Sequence, residues 1–368
     1  MRHTLCWAAA TLLAATACAA QASGQGVAAL DLLVRPAHVA PQAAQSVMLA
    51  VARAGDRLVA VGERGIAVFS DDNGARWRQA KVPVSVTLTA LCFASPSEGW
   101  AVGHGGVVLH TQDGGEQWTL QLDGQRAAQI ALAAAATAES AGQPDAAQRK
   151  QAAERLVADG PDKPLFDVRF ADSKNGLVVG AYGLALATRD GGRNWESRMD
   201  VIDNPRGMHL YAIAARGNEW FIVGEQGTVL RSDDGGQRFA RLPSPYKGTF
   251  FGALTGSAGE LIVFGLRGNA FGSGDSGKTW QRIATAGPAT LTAGARLADG
   301  ALVLTDEAGR VLLSRDAGKH FEALAVPGGA PLAGVAQASD GRLVVGGVRG
   351  LAGIALDKAA PVTAGTVK

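Results

Sequence analysis

A chain of 368 residues with 49 glycines and a formal net charge of +2 has room for two ordinary domains or one large all-β domain rich in tight turns. A charge so close to zero gives no bulk electrostatic reason to expect a nucleic acid or an acidic lipid surface as partner. Of the three cysteines only Cys92 lies beyond residue 22, which excludes an intrachain disulfide framework in the mature chain.

Residues 1–22 read as a secretory signal peptide. Arg2 and His3 precede a short apolar run, and Ala20-Gln21-Ala22 supplies the small residues of a cleavage site after Ala22. The run is too short to span a bilayer as a helix, and no later segment is long and apolar enough. A lipoprotein signal ending at Cys18 is the competing reading, although Ala15 stands where that pattern prefers leucine. The mature domain is therefore placed at 23–368, exported to the periplasm or beyond. Cys92, inside LTALCFAS, reads as a small buried apolar residue rather than a reactive thiol.

From residue 47 onward the chain repeats itself. The octets at 70, 111, 188, 232, 273 and 314 all obey [Ser/Thr]-x-Asp-x-Gly-x-x-[Trp/Phe]. Their aspartates, Asp72, Asp113, Asp190, Asp234, Asp275 and Asp316, lie 41, 77, 44, 41 and 41 residues apart, and a degenerate seventh copy falls at Asp357. Four short strands fit each period: in the second copy TALCFAS, GWAVGH, VVLHT and WTLQL, separated by turns. Four strands per period of about 41 residues is one propeller blade, so the chain is expected to be an all-β, seven-bladed β-propeller.

Each octet falls in the turn between third and fourth strands. There its hydroxyl and carboxylate can bond backbone N–H groups, glycine can supply positive φ, and the aromatic residue can pack on a neighbouring blade. Six equivalent aspartates are read as structural staples rather than metal ligands or catalytic acids. No cofactor and no metal site is expected from the dispersed histidines.

The long spacing between Asp113 and Asp190 holds an insert at 124–161 between blades two and three. Its alanine-rich first half and DAAQRKQAAERLVADGP predict a helical hairpin, broken at Gln143-Pro144-Asp145 and stopped by Gly160 and Pro161. Alanine-rich helices are marginal alone, so the hairpin should dock, on its own propeller in preference to a partner only. After Asp357 an outer strand is missing. Either VAALDLLV near the N-terminus or the tail PVTAGTV could supply it, and the N-terminal segment is favoured because it would join the chain ends in one blade.

The fifth octet contains GSGDSGKT, Gly272 to Thr279, a literal match to the phosphate-cradling pattern G-x-x-x-x-G-K-[ST]. A P-loop must run from a strand into a helix. Here TWQRIAT follows and reads as a strand, so no nucleotide is expected.

The turn between second and third strands defines the opposite face. The residue before its second glycine is Arg64, Gly105, Tyr182, Gln226, Arg267, Ala308 and Arg349 in successive blades. Arg64, Arg267 and Arg349 so share one aligned position, and guanidinium forks there suit a carboxylate-rich partner. The bland alternative is solvated turn residues paired locally with Glu63, Glu225 and Glu307. His104, Tyr182 and Gln226 belong to the same ring of turns. Arg206, His209 and Lys247, in connections on that face, extend the patch. Phe251 in GTFFGAL is read as core.

The [ST]-x-D-x-G-x-x-[WF] octet is the Asp-box, or BNR, repeat, shared by sialidases and non-enzymatic propellers. Together with RLVAVGERG, GWAVGHGG and the DGGxxW boxes, it makes the mature chain resemble the photosystem II assembly and stability factor family and its bacterial relatives. The resemblance implies a lumenal or periplasmic scaffold or assembly factor, without chemistry of its own, that binds a membrane or envelope protein client through an arginine-bearing face. The runner-up is a glycan-binding or sialidase-like glycosidase propeller. Sialidases need an F/Y-R-I-P signature, where LVRPA around Arg35 departs from it. They also need a tyrosine nucleophile backed by glutamate, and Tyr182, Tyr211 and Tyr246 have no obvious partner in sequence. Stacking aromatics on the turn face would favour a sugar, and the connections offer few.

Overall fold

A computed structural model describes residues 31–256, 259–326 and 329–356. Its strands form seven antiparallel sheets in chain order, six of four strands and a last one of three. The second strand of each blade is a short, largely apolar run; Leu261–Gly265 and Leu343–Gly347 are buried at every residue, and in blades one and four only the first residue, Arg57 or Glu219, is half-buried. Burial on both faces explains why these runs show no polar alternation: each is sandwiched between neighbouring blades. The first strands, among them Met48–Ala54, Leu165–Phe170, Leu210–Arg216 and Phe250–Thr255, follow one another around the ring axis.

The insert is the expected hairpin, with helices Gly124–Ser140 and Ala146–Asp159. The Asp123 carboxylate caps the first helix by accepting from Arg126 N at 2.8 Å. Ala127, Ala128, Ala131 and Ala135 sink into one apolar cluster with Trp100, Leu122, Leu165 and Trp195. The hairpin therefore docks on its own blades two and three. Methyl side chains let the helix come close to the sheets, and tertiary packing supplies the stability that propensity alone does not. Cys92 packs against the same cluster, and burial pushes its thiol up to about 12, which keeps it unreactive.

The expected closing strand is corrected. The described part of VAALDLLV, residues 31–34, is helical. Leu33 is buried among blade-one and blade-two residues such as Val84, Val86 and Leu88. The backbone fixes it there: Ser85 N donates to Leu32 O and Ala37 N to Val82 O. Blade seven holds three strands among the described residues. Blades seven and one close the ring by packing Met48, Val51 and Leu58 against Ala336 and Val344. The Asn73 side-chain Oδ1 accepts from Ser339 N and Oγ at 3.1 and 2.7 Å, across the same seam. Residues 1–22, Cys18, Asp357 and the tail PVTAGTV lie outside the described residues.

Candidate functional site

The Asp-box turns are self-satisfied. In all six the Ser or Thr Oγ donates to the aspartate Oδ1 at 2.6 to 2.9 Å, and the box glycine N–H donates back to that Oγ. The same carboxylate accepts the backbone N–H four residues on, from Arg76, Gln117, Asn194, Arg238, Thr279 and His320. The amides of Asn194 and Thr279 hold Asp190 and Asp275 down to about 2. A carboxylate so engaged is a staple, not an acid or base for catalysis near neutral pH.

The same geometry settles GSGDSGKT. Lys278 N and Thr279 N, two amides a phosphate would need, donate to the Asp275 carboxylate, and Thr279 Oγ1 joins them at 2.7 Å. The chain then enters the strand Gln281–Ile283 instead of a helix. Among the described residues no group of three or more His, Cys, Asp or Glu could hold a metal ion, and no helix is long and apolar enough to cross a membrane.

The opposite face is built from the turns after the second strands. In blades one to five the residue before the second glycine is left-handed: Arg64, Gly105, Tyr182, Gln226 and Arg267 have φ of 53°, 70°, 57°, 51° and 58°. The next glycine is required. A Cβ on Gly65 would stand 2.1 Å from Val84 O, and one on Gly227 2.0 Å from Tyr246 O. Jammed against that backbone, the turn leaves the side chain before the glycine exposed. Blades six and seven use a tighter turn with one left-handed glycine, Gly309 or Gly350. Arg349 is exposed there without sharing the left-handed conformation of Arg64 and Arg267, so the equivalence in sequence is looser in space.

The glutamates do not pair with these arginines. Glu63, Glu225 and Glu307 accept instead from the backbone N–H of Val47, His209 and Thr290, just before the first strand of their own blades. Arg64 and Arg267 form no ion pair with a described residue. His104, Gln226, Arg206 and Lys247 are also exposed on this face, the last three in blade four and the connections on either side of it and His104 apart in blade two. Tyr182 is 55% exposed, and the Lys163 ammonium lies 5.2 Å from its ring centre.

Sequence reasoning missed a cluster of rings beside these turns. Phe166 and Tyr211 stack at 4.8 Å, and Tyr211 meets Phe251 edge-on at 5.1 Å. His209 lies 4.9 Å from the Tyr182 ring, and its Nδ1 accepts from Tyr182 N. Phe251 is thus half-buried in a ring cluster, and its neighbour Phe250 is the core residue. Burial, reinforced by the Glu225 carboxylate, pushes the Tyr211 hydroxyl up. On the box face, a cleft of about 360 Å³ between blades three and four is lined by Asp172, Arg198, Asn218 and Gln237.

Against known proteins, the profile of the family described as photosynthesis system II assembly factor YCF48 matches residues 46–142 and 147–321. A photosystem II assembly lipoprotein Ycf48 of Synechococcus sp. (strain CC9902) is 36% identical over 76 residues, covering 21% of this chain and 23% of that protein. The photosystem II assembly protein Ycf48 of Synechococcus sp. (strain JA-2-3B'a(2-13)) is 29% identical over 166 residues, 40% of this chain and 49% of its own length. The aligned stretches thus span at most about half of these relatives. A solved structure described as YCF48 bound to D1 peptide superposes with a TM-score of 0.61 at 15% identity, over 83% of this chain and 92% of the other.

Proposed function

The chain belongs to the photosynthesis system II assembly factor YCF48 family, and from that premise we propose that it is an exported, non-enzymatic propeller that binds a membrane or envelope protein client. The client's carboxylates dock on the face of the second-to-third-strand turns. The observation that carries this reading is the state of Arg64 and Arg267: left-handed turns hold both outward, Glu63 beside Arg64 is turned to the backbone N–H of Val47, and the turn of Arg267 holds no acidic residue. A guanidinium with no carboxylate of its own is available to a client's, in bidentate geometry.

A peptide ligand is supported by the D1 peptide on the solved relative, and export by the character of residues 1–22 and by a relative named a lipoprotein. The named relatives are assembly factors. A tyrosine-based glycosidase is disfavoured at Tyr211, whose hydroxyl is pushed away from the phenolate form that an attacking nucleophile needs. One observation favours a glycan-binding module as second reading, namely the ring cluster on this face.

The test is a crosslinked pull-down from native membranes, comparing wild type with an Arg64/Arg267/Arg349→Ala variant of unchanged melting temperature. One envelope protein captured by wild type and lost from the variant supports the reading. Equal capture by both removes the arginine face from it.

A further inference from the structure

The first strand of every blade carries a register shift at its start, so that the second residue escapes the pairing. Blades one, two, six and seven place Leu49, Thr89, Thr292 and Ala333 there. Blades three, four and five, consecutive in the ring, place Phe166, Tyr211 and Phe251. In each of these three the preceding residue, Leu165, Leu210 or Phe250, is fully buried and fills the core, while the ring beside it is only half-buried. Antiparallel pairing sets these strand starts opposite the ends of the second strands, at the level of the arginine-bearing turns: Leu210 faces Gly224 and Phe250 faces Gly265. The three rings thus form an arc near the axis on the proposed client face. Tyr182 stands at one end, tied through its backbone N–H to His209 Nδ1 at 2.8 Å. That bond leaves Nε2 of His209 as the protonated nitrogen of the neutral ring.

We propose that this arc seats one aromatic side chain of the client peptide, with acidic residues of the same peptide on either side of it. The inference rests on the reading that this face binds a client, and it names the kind of segment bound. Charge selects the occupant. Arg206, Lys247 and Arg267 lie in the connections and turn of blades three to five, all exposed and none in an ion pair with a described residue. The Glu225 carboxylate that acts on Tyr211 is half-buried and takes the N–H of His209, so the exposed rim cations repel a cation seeking the ring faces and draw an acidic peptide. An aromatic side chain meets rings at both offset-stacked and edge-on geometry, and half-buried aromatics closed over by a ligand are the usual anchors of a small interface.

Selection from a displayed library of random heptapeptides tests this. The baits are wild type, Tyr211→Ala, Tyr211→Phe, Phe251→Ala and an Arg206/Lys247/Arg267→Ala variant, each checked for an unchanged melting temperature. Wild type and Tyr211→Phe are expected to enrich peptides with an aromatic residue within two positions of Asp or Glu. Tyr211→Ala keeps the acidic enrichment and loses the aromatic one, and the best peptide binds it at least about tenfold more weakly. If Tyr211→Ala fails to fold, Phe251→Ala carries the same expectation. Acidic peptides without aromatic preference overturn the arc and leave the client face standing, as does an aromatic preference that survives both ring deletions. If wild type selects no acidic peptide, the client-face reading itself fails and the inference with it. Neutral oligosaccharides retained on a glycan array through Tyr211 would make the arc a sugar platform and overturn the proposal.

Discussion

Arg64 occupies a backbone region that costs an ordinary side chain about 1 kcal/mol, and its counterpart in blade two is Gly105, with φ of 70°. The fold therefore needs no side chain at this point. Arg64→Gly should leave unfolding in denaturant unchanged, or stabilise by up to about 1 kcal/mol, while client capture weakens. The adjacent glycine behaves in the opposite way. Gly65→Ala drives a Cβ to 2.1 Å from Val84 O at φ of 72° and should cost more than about 2 kcal/mol. Equal effects of the two substitutions would show that Arg64 is held for stability rather than for a partner.

At the scale of the strand, the third residue of the first strand is small in six blades: Ala50, Ala90, Ala212, Gly252, Ala293 and Gly334. Blade three places Asp167 there. Its carboxylate accepts from Val168 N at 2.8 Å and, across to blade four, from Ile213 N at 2.7 Å. Burial raises it to about 6 against these bonds. Between about pH 4 and that value the folded chain holds the proton more often than the unfolded chain does, so this group's contribution to stability falls as pH rises and levels off above the window. Asp167→Asn should remove that slope. Unfolding free energies measured from pH 4 to 7 should diverge from wild type by on the order of 3 kcal/mol, and parallel curves would contradict the assignment.

The blades, the stapled turns and the helical hairpin were legible because each is a local pattern: a repeated octet, an apolar run, an alanine-rich stretch with breakers. The ring arc was not. GTFFGAL reads as the entry to a buried strand with Phe251 in the core, and the register shift that turns the second residue out of the core, there and in LFD and LYA, leaves no mark on the apolar alternation. The glutamates misled for a related reason. On the same face as the arginines they suggest ion pairs, but the residue before each first strand presents an unpaired N–H within reach, and that amide takes the carboxylate.

For the molecule as a whole, blades one and seven meet, among the described residues, through side-chain packing and the polar contacts of Asn73 with Ser339. Asn73 and Ser339 meet across 266 residues of chain, and Asn73 holds a left-handed turn while doing so. Asn73→Ala loses both bonds and strains the turn, and should destabilise the whole propeller by about 1–3 kcal/mol in a chemical melt. No change would mean that the Asn73–Ser339 contact does not help to close the ring. Closure also fixes which turns share a face: stapled, self-satisfied turns on one side, arginines and rings on the other. The most direct test uses blade four, where Gln226 and Asp233 are exposed on the two opposite faces. A photocrosslinking residue is placed at either position and irradiated in native membranes. A crosslinked client is expected from position 226 and none from 233; a client crosslinked from 233 alone would place the client on the Asp-box face and contradict the proposed function.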